Sequence, residues 1–237
     1  PIRERIKEIV NMPSPYLDGT FDEILEKDKE SNFHATIETT RGCPFHCSFC
    51  DQGSDYFNKL SLISLEKVKA EIKWVSENKI SYLENADPNF GMFFERDKNI
   101  SEFMVECKQK NGFPEQYYTT WVKGRTINSI EIMKILKRAD LDRGVSMSFQ
   151  SLDRSALKAT KRQNMNEGSI KKTIESFTDS NIGVYVELIL GLPNETLESF
   201  LDGIFYLLEL GHDQFLAAYT LQVLPNTKYA DPEYVKQ

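Results

Sequence analysis

Three of the four cysteines in this 237-residue chain fall within eight positions, in Arg41-Gly42-Cys43-Pro44-Phe45-His46-Cys47-Ser48-Phe49-Cys50, spaced C-x-x-x-C-x-x-C. Thiols so close along one loop rarely meet disulfide geometry, but as thiolates they converge on a soft metal or an iron–sulfur cluster. The ligand count narrows the chemistry. A structural zinc or a closed ferredoxin-type cluster takes four protein ligands, and Cys107, the remaining cysteine, lies far off in a helix-like stretch. Three thiolates on a four-iron cubane leave one iron without a protein ligand, and an open coordination position is what a metal site keeps for a substrate or cofactor. The competing reading is a non-catalytic Cys3His zinc-binding module that recruits His46.

The elements that must position this loop alternate between strand-like and helix-like, as in a βα-repeat barrel. Strands are expected near Ala35 to Thr39, Tyr82 to Asn85, Tyr117 to Trp121, Val145 to Gln150, Val184 to Leu190 and Leu216 to Val223, each rich in β-branched or aromatic residues and bounded by turn formers. Behind a Ser64 N-cap, Leu65, Val68, Ile72 and Val75 recur at helical spacing and give one apolar stripe. Ile100, Phe103, Met104 and Cys107 make a second, in which Cys107 reads as a small buried hydrophobe rather than a ligand. Further helices fit Ile130 to Arg138, Ser169 to Ser180 and Thr196 to Leu210.

The cysteine spacing, the aromatic Phe49 before the last cysteine and the preceding Thr40-Arg41-Gly42 resemble the cluster loop of the radical S-adenosylmethionine (SAM) superfamily. The resemblance implies an α/β fold, a partial TIM-like (β/α)6 barrel of the radical SAM type, covering about residues 33 to 227. It implies a [4Fe-4S] cluster on Cys43, Cys47 and Cys50, whose open iron is chelated by the amino and carboxylate groups of SAM. An electron from the cluster then breaks the sulfonium to methionine and a 5′-deoxyadenosyl radical, which abstracts hydrogen from an organic substrate. Phe49 would cover the cluster beside the adenine. No further catalytic residue is assigned.

The same resemblance places SAM contacts at the C-terminal ends of the strands, where α/β barrels build their sites. After the second strand, Asn85-Ala86-Asp87-Pro88-Asn89-Phe90 stands where the family has a glycine-rich turn. Asp87 is expected either to accept the SAM ammonium, as a carboxylate suits a cation, or merely to begin a turn before Pro88. In several branches of the superfamily a glutamine at the fourth strand's end holds the ribose and an arginine twelve residues on pairs with the SAM carboxylate; Gln150 and Arg162 match in type and spacing. Glu187 is a charge inside an apolar strand and should face a polar cavity, where ribose hydroxyls would partner it. Ile189 would lie along the adenine, and Gly191 would let the backbone approach the cofactor. Glu38, Thr119, Trp121, Lys123, Ser146 and Ser148 are candidates for the substrate, as are Tyr219 and Gln222, while the three histidines show no ligand spacing among themselves.

Composition suits one catalytic domain: 40% hydrophobic and 27% charged residues can fill and cover a single core. A net charge of −7 disfavours bulk nucleic-acid binding, and no apolar run is long enough to span a bilayer. Thiolate ligands argue for a reducing, cytoplasmic setting. The proline- and turn-rich Asn11-Met12-Pro13-Ser14-Pro15-Tyr16-Leu17-Asp18-Gly19 suggests a connector over residues 1–32 ahead of a core at 33–237. It resembles the stretch that joins an N-terminal cobalamin-binding domain to the barrel in the cobalamin-dependent branch of the superfamily, and Glu38-Thr39-Thr40-Arg41-Gly42-Cys43-Pro44 is close to that branch's wording. The chain begins at Pro1, which leaves room for such a domain ahead of it. The implied partners are an organic small-molecule or peptide substrate, an electron donor such as flavodoxin or ferredoxin, and cobalamin held outside this chain. A tRNA methylthiotransferase-like enzyme is the other catalytic alternative, and it calls for a second cluster and a basic RNA domain.

Overall fold

The computed structural model describes residues 12–54 and 56–235, so Asn11 of the proline-rich stretch lies outside the described residues. The chain divides into two compact units. Of the described residues, the first holds 12–41, 61–120 and 131–143, and the second 42–54, 56–60, 121–130 and 144–235.

In the first unit α1 (Asp22–Lys27), β1 (His34–Ile37), β2 (Thr40–Arg41), β3 (Ser61–Leu62), α2 (Leu65–Glu77), β4 (Tyr82–Phe90), α3 (Phe94–Asn111) and β5 (Gln116–Trp121) follow in order. The sheet order is β1-β4-β5, with β1 and β4 parallel and Ala35 opposite Leu83. Alternation along β1 buries Ala35 and Ile37, as a period of two requires. The Ser64 hydroxyl caps α2 by accepting from the Lys67 amide at 3.2 Å. Val68, Ile72 and Val75 are fully buried along the helix's apolar stripe, each contributing about 1.5–3 kcal/mol. Cys107 is buried in α3, and its carbonyl accepts from Ser76 of α2 at 3.1 Å.

Two features of this unit depart from the sequence reading. The Tyr82 strand does not turn after Asn85 but continues to Phe90. Its ladder to β1 ends at Asn85, so the missing amide of Pro88 removes no hydrogen bond from that edge. The short antiparallel pair β2·β3 was not anticipated; it joins Thr40 to Leu62 and Arg41 to Ser61, and the cysteine loop lies between the two strands in the chain. Ahead of β1, the Tyr16 hydroxyl donates to the Thr36 carbonyl at 2.7 Å and accepts from the Thr36 amide at 3.0 Å, so a side chain stands in for a neighbouring strand.

The second unit is built on β6 (Val145–Gln150), β7 (Val184–Leu190) and β8 (Leu216–Thr220), a parallel three-stranded sheet in that order. The helices α5 (Arg154–Ala159), α6 (Glu167–Asp179) and α7 (Leu197–Glu209) connect these strands, and α8 (Pro232–Val235) follows; α4 (Thr126–Lys137) is shared between the units. β7 buries Val184, Val186 and Leu188 on one face and turns Tyr185, Glu187 and Ile189 to the other. A capping box between Thr196 and Ser199 starts α7.

All six expected strands are therefore present, three in the sheet of each unit, within an α/β fold. Among the described residues no helix is long and apolar enough to cross a membrane.

Candidate active site

The cysteine loop is held by its backbone. Gly42 has φ +100°, and a Cβ there would lie 2.4 Å from the Lys59 carbonyl oxygen, so only glycine fits. The Cys43 amide then donates to the Phe57 carbonyl at 2.8 Å, and the Ser48 amide to the Thr160 carbonyl at 2.9 Å. A 3-10 turn at Asp51–Gly53 closes the loop, and Gly53 packs so tightly that a Cβ would meet the Cys47 carbonyl oxygen at 2.2 Å.

All four cysteines are free thiols. Cys47 is 5% exposed, whereas Cys43 and Cys50 are part-exposed. Burial pushes the Cys50 thiol up from its ordinary value, with smaller contributions from Cys47 and Cys43, which lie close enough to repel it as thiolates. A single zinc ion would draw its ligands to within about 4 Å of one another, because Zn–S bonds are ~2.3 Å. Among the described residues no three His, Cys, Asp or Glu side chains are gathered as such a group.

Two cations converge on Cys47. Arg162 Nη1 is 3.6 Å from its sulfur and Lys123 Nζ is 3.5 Å from it. Arg162 is 5% exposed, and its Nε donates to the Phe149 carbonyl at 3.0 Å and to Asn164 Oδ1 at 3.1 Å. Its Nη2 is buried with no hydrogen-bond partner. Burial lowers the Arg162 pKa and the Cys47 charge opposes that, but a guanidinium stays protonated. Burial likewise lowers the Lys123 pKa, helped by Arg162 and opposed by the Cys47 and Cys43 charges. An orphaned guanidinium nitrogen beside the cysteine loop is a ready site for an anion, and a carboxylate suits its planar fork.

Next to the loop, Phe49, Cys50, Gln150, Glu187 and Ile189 line one cavity of about 380 Å³, together with β8 and the residues after it, including Tyr219 and Gln222. Gln150 ends β6 with φ +66°, at a register shift against β7 between Met147 and Gln150. A non-glycine residue in the left-handed region is strained and is held by its surroundings. The Ser148 hydroxyl donates to Glu187 Oε2, which orients the carboxylate. Phe49 also lies under the guanidinium, with Arg162 Cζ 5.9 Å from its ring centroid. Gly191 follows β7 at φ +94°, and a Cβ there would make only an ordinary contact with Leu221, so the conformation rather than space demands glycine. A second cavity of about 480 Å³ is lined by His46, Cys47, Cys50, Lys161, Asn226 and Thr227, among others.

The structure thus brings Phe49, Gln150, Glu187 and Ile189 to one cavity with Cys50, sets Arg162 on Cys47, and leaves Gly191 at the end of the same strand. Asp87 belongs to the first unit and is not in a turn. It sits 2% exposed inside β4, where Oδ1 accepts the amides of Thr39 at 2.6 Å and Thr40 at 2.9 Å, and Oδ2 accepts the Thr39 hydroxyl. Burial raises its pKa from the ordinary carboxylate value and the Thr39 and Thr40 hydrogen bonds oppose this. Asp87 therefore latches the segment that leads into the cysteine loop. Arg96 reinforces that latch by donating to the carbonyls of Thr39 at 3.1 Å and Ile63 at 2.6 Å.

Sequence reasoning missed Asn164, which braces Arg162 and also donates to the Phe149 and Ser151 carbonyls at 2.8 Å each. The signal was the Arg162-Gln163-Asn164 spacing itself. Of the substrate candidates, Glu38 is paired with Arg41, its oxygens 2.8 and 2.9 Å from Nε, and Lys123 is turned to Cys47. Of the histidines, His212 is buried and His34 and His46 are exposed.

The sequence profile of the Radical SAM superfamily matches residues 37–207. The chain belongs to the radical SAM superfamily. Superfamily members use a [4Fe-4S] cluster and SAM, as the cysteine loop led us to expect. Over 239 aligned residues this radical SAM chain is 37% identical to the cobalamin-dependent radical SAM methyltransferase TokK of Streptomyces tokunonensis, covering all of this chain and 35% of that protein. It is 36% identical to the 2-(S-pantetheinyl)-carbapenam-3-carboxylate methyltransferase of Streptantibioticus cattleyicolor, covering 98% of this chain and 34% of that one. The chain thus spans about a third of the length of these relatives. In fold it is similar to the radical SAM methyltransferase TsrM of Kitasatospora setae, with a TM-score of 0.68 at 17% identity, covering 86% of this chain and 39% of TsrM.

Proposed function

We propose that this chain is the catalytic core of a cobalamin-dependent radical SAM methyltransferase acting on a small organic molecule. The observation that carries the reading is Arg162. One nitrogen of its guanidinium is on Cys47 and another is buried and unpaired, so the cysteine loop and an anion site meet on one side chain. Two relatives of 36–37% identity across nearly the whole chain, one named cobalamin-dependent and both named methyltransferases, support the methyl-transfer outcome.

The residues present fit the cluster and SAM. Cys43, Cys47 and Cys50 would hold the cluster, Arg162 Nη2 would take the SAM carboxylate, and Gln150 and Glu187 would hold the ribose hydroxyls. Ile189 would lie along the adenine, Phe49 would cover the cluster beside it, and the left-handed turn at Gly191 would let the backbone approach the cofactor. When bound, the cluster and SAM supply the electron and the carbon–sulfur bond whose cleavage begins the radical reaction. The protein's part is orientation and exclusion of water. Ser148 fixes the Glu187 carboxylate, Asn164 fixes the Arg162 fork, and Asp87 serves as the latch of the Thr39–Thr40 segment rather than as a partner for the SAM ammonium.

Residues 1–32 would act as a connector to the core at 33–237, with cobalamin held by a domain outside this chain and a flavodoxin or ferredoxin supplying electrons in the cytoplasm. The carbapenam thioether named for the second relative is the first methyl acceptor to try.

Anaerobic reconstitution with iron and sulfide, followed by dithionite and SAM, tests the core reading. The expected result is 5′-deoxyadenosine from the reconstituted protein and neither cluster absorption nor product from C47A. A reduced, cluster-loaded protein that leaves SAM intact would overturn it.

A further inference from the structure

We propose that Lys123 is an electrostatic tuning residue, which holds its ammonium on the Cys47 sulfur and raises the reduction potential of the cluster. The inference rests on the reading of Cys43, Cys47 and Cys50 as cluster ligands. Lys123 Nζ lies 3.5 Å from Cys47 Sγ and 4.8 Å from the centroid of the Phe45 ring. Phe45 sits between Cys43 and Cys47 in the chain, so the loop that supplies the sulfur also supplies the aromatic face that fixes the cation. The lysine follows β5 and is part-buried, which keeps solvent from screening the contact.

Reduction adds one electron to the cluster without moving a proton or breaking a bond, and the electron comes from dithionite in the assay or a low-potential electron-transfer protein in the cell. A fixed positive charge at the ligand sulfur stabilises the more negative, reduced state, and hydrogen bonds to the sulfurs act in the same direction. Arg162 also touches Cys47, but its remaining nitrogens are committed to the Phe149 carbonyl, to Asn164 and to the anion position. The described polar contact of the Lys123 ammonium is with the Cys47 sulfur.

The test is a redox titration followed by electron paramagnetic resonance, on reconstituted wild-type protein and on K123M, K123Q and K123R, in the absence of SAM. At the potential that half-reduces the wild type, the reduced-to-oxidised ratio in K123M and K123Q should fall about tenfold, equivalent to about 59 mV for a one-electron couple. Iron and sulfide content should be unchanged, and K123R should restore most of the ratio.

An unaltered midpoint in cluster-loaded K123M overturns the proposal. So does a shift that appears only after SAM is added, which would place Lys123 on SAM, or loss of the cluster from both K123M and K123Q, which would make the lysine a brace for the loop. Wild-type protein that takes up no iron would instead defeat the cluster assignment, so the two failures are distinguishable.

Discussion

Arg162 reaches Cys47 through one guanidinium nitrogen at 3.6 Å while a second, Nη2, is buried without a partner. A buried donor left unpaired costs about 1–3 kcal/mol, and that cost is relieved when an anion arrives. The same side chain thus contacts the cysteine loop and carries an unpaired buried donor beside it.

Replacing this arginine with lysine keeps the charge but removes the fork. R162K should retain its cluster absorption and bind SAM about 10- to 100-fold more weakly, in line with loss of a charge-assisted hydrogen bond. Calorimetric titration of SAM into reconstituted protein gives the answer, and wild-type affinity in R162K would remove the carboxylate from Arg162.

Gln150 combines a side chain in the cavity with a strained backbone at φ +66°. Relief of about 1–2 kcal/mol of left-handed strain is partly offset by glycine's extra freedom when unfolded, about 0.5–1 kcal/mol. Q150G should therefore unfold no earlier than the wild type while binding SAM about tenfold more weakly. Denaturant melts and SAM titrations on one preparation check both halves, and Q150G with wild-type SAM affinity would separate the strain from the site.

Two glycines with left-handed or crowded backbones separate space from conformation. G53A would drive a Cβ into the Cys47 carbonyl oxygen at 2.2 Å, so iron bound per chain should fall sharply after reconstitution. G112A, at φ +83° with nothing within 4 Å of the added carbon, should cost about 1 kcal/mol of stability and leave iron loading intact. Iron assays and melting curves distinguish the two.

Asp97 lies at the start of α3, 1% exposed, where it accepts the amides of Gly91 at 2.8 Å and Phe93 at 3.1 Å. Burial raises its pKa from 3.8 to about 6, with those hydrogen bonds opposing. The folded state therefore binds a proton more tightly than the unfolded chain. Its contribution to stability is fully present below pH 3.8 and is lost as pH rises through about 6. D97N should show a flatter decline of melting temperature with rising pH between those values than the wild type. Parallel slopes would mean that Asp97 does not titrate in this range.

Much of this was legible because it is local. Cysteine spacing marked the loop, β-branched content marked β7, and a lone charge in that apolar strand marked Glu187 as facing a cavity. The Ser64 cap and the stripe of Val68, Ile72 and Val75 marked α2. The Gln150 to Arg162 interval placed two residues whose positions depend only on one strand end and the short helix after it.

What failed depended on contacts distant in sequence. Asn85-Ala86-Asp87-Pro88-Asn89 has turn chemistry, yet Asp87 is drawn into a continuing strand by the amides of Thr39 and Thr40, 47 to 48 positions away. Lys123 was expected among the candidates for the substrate, and its contact with Cys47, 76 positions earlier, is not written in its neighbourhood in the chain.

The close seat of Gly53 on Cys47 bears on repair. Oxygen that destroys a cluster removes iron and sulfide but not the hydrogen bonds from the Cys43, Ser48 and Cys50 amides that shape the cradle. Damage would then be undone by resupply of inorganic parts, without refolding, provided the thiols are kept reduced. Repeated cycles of aeration, thiol reduction and reconstitution should return the starting absorbance each time.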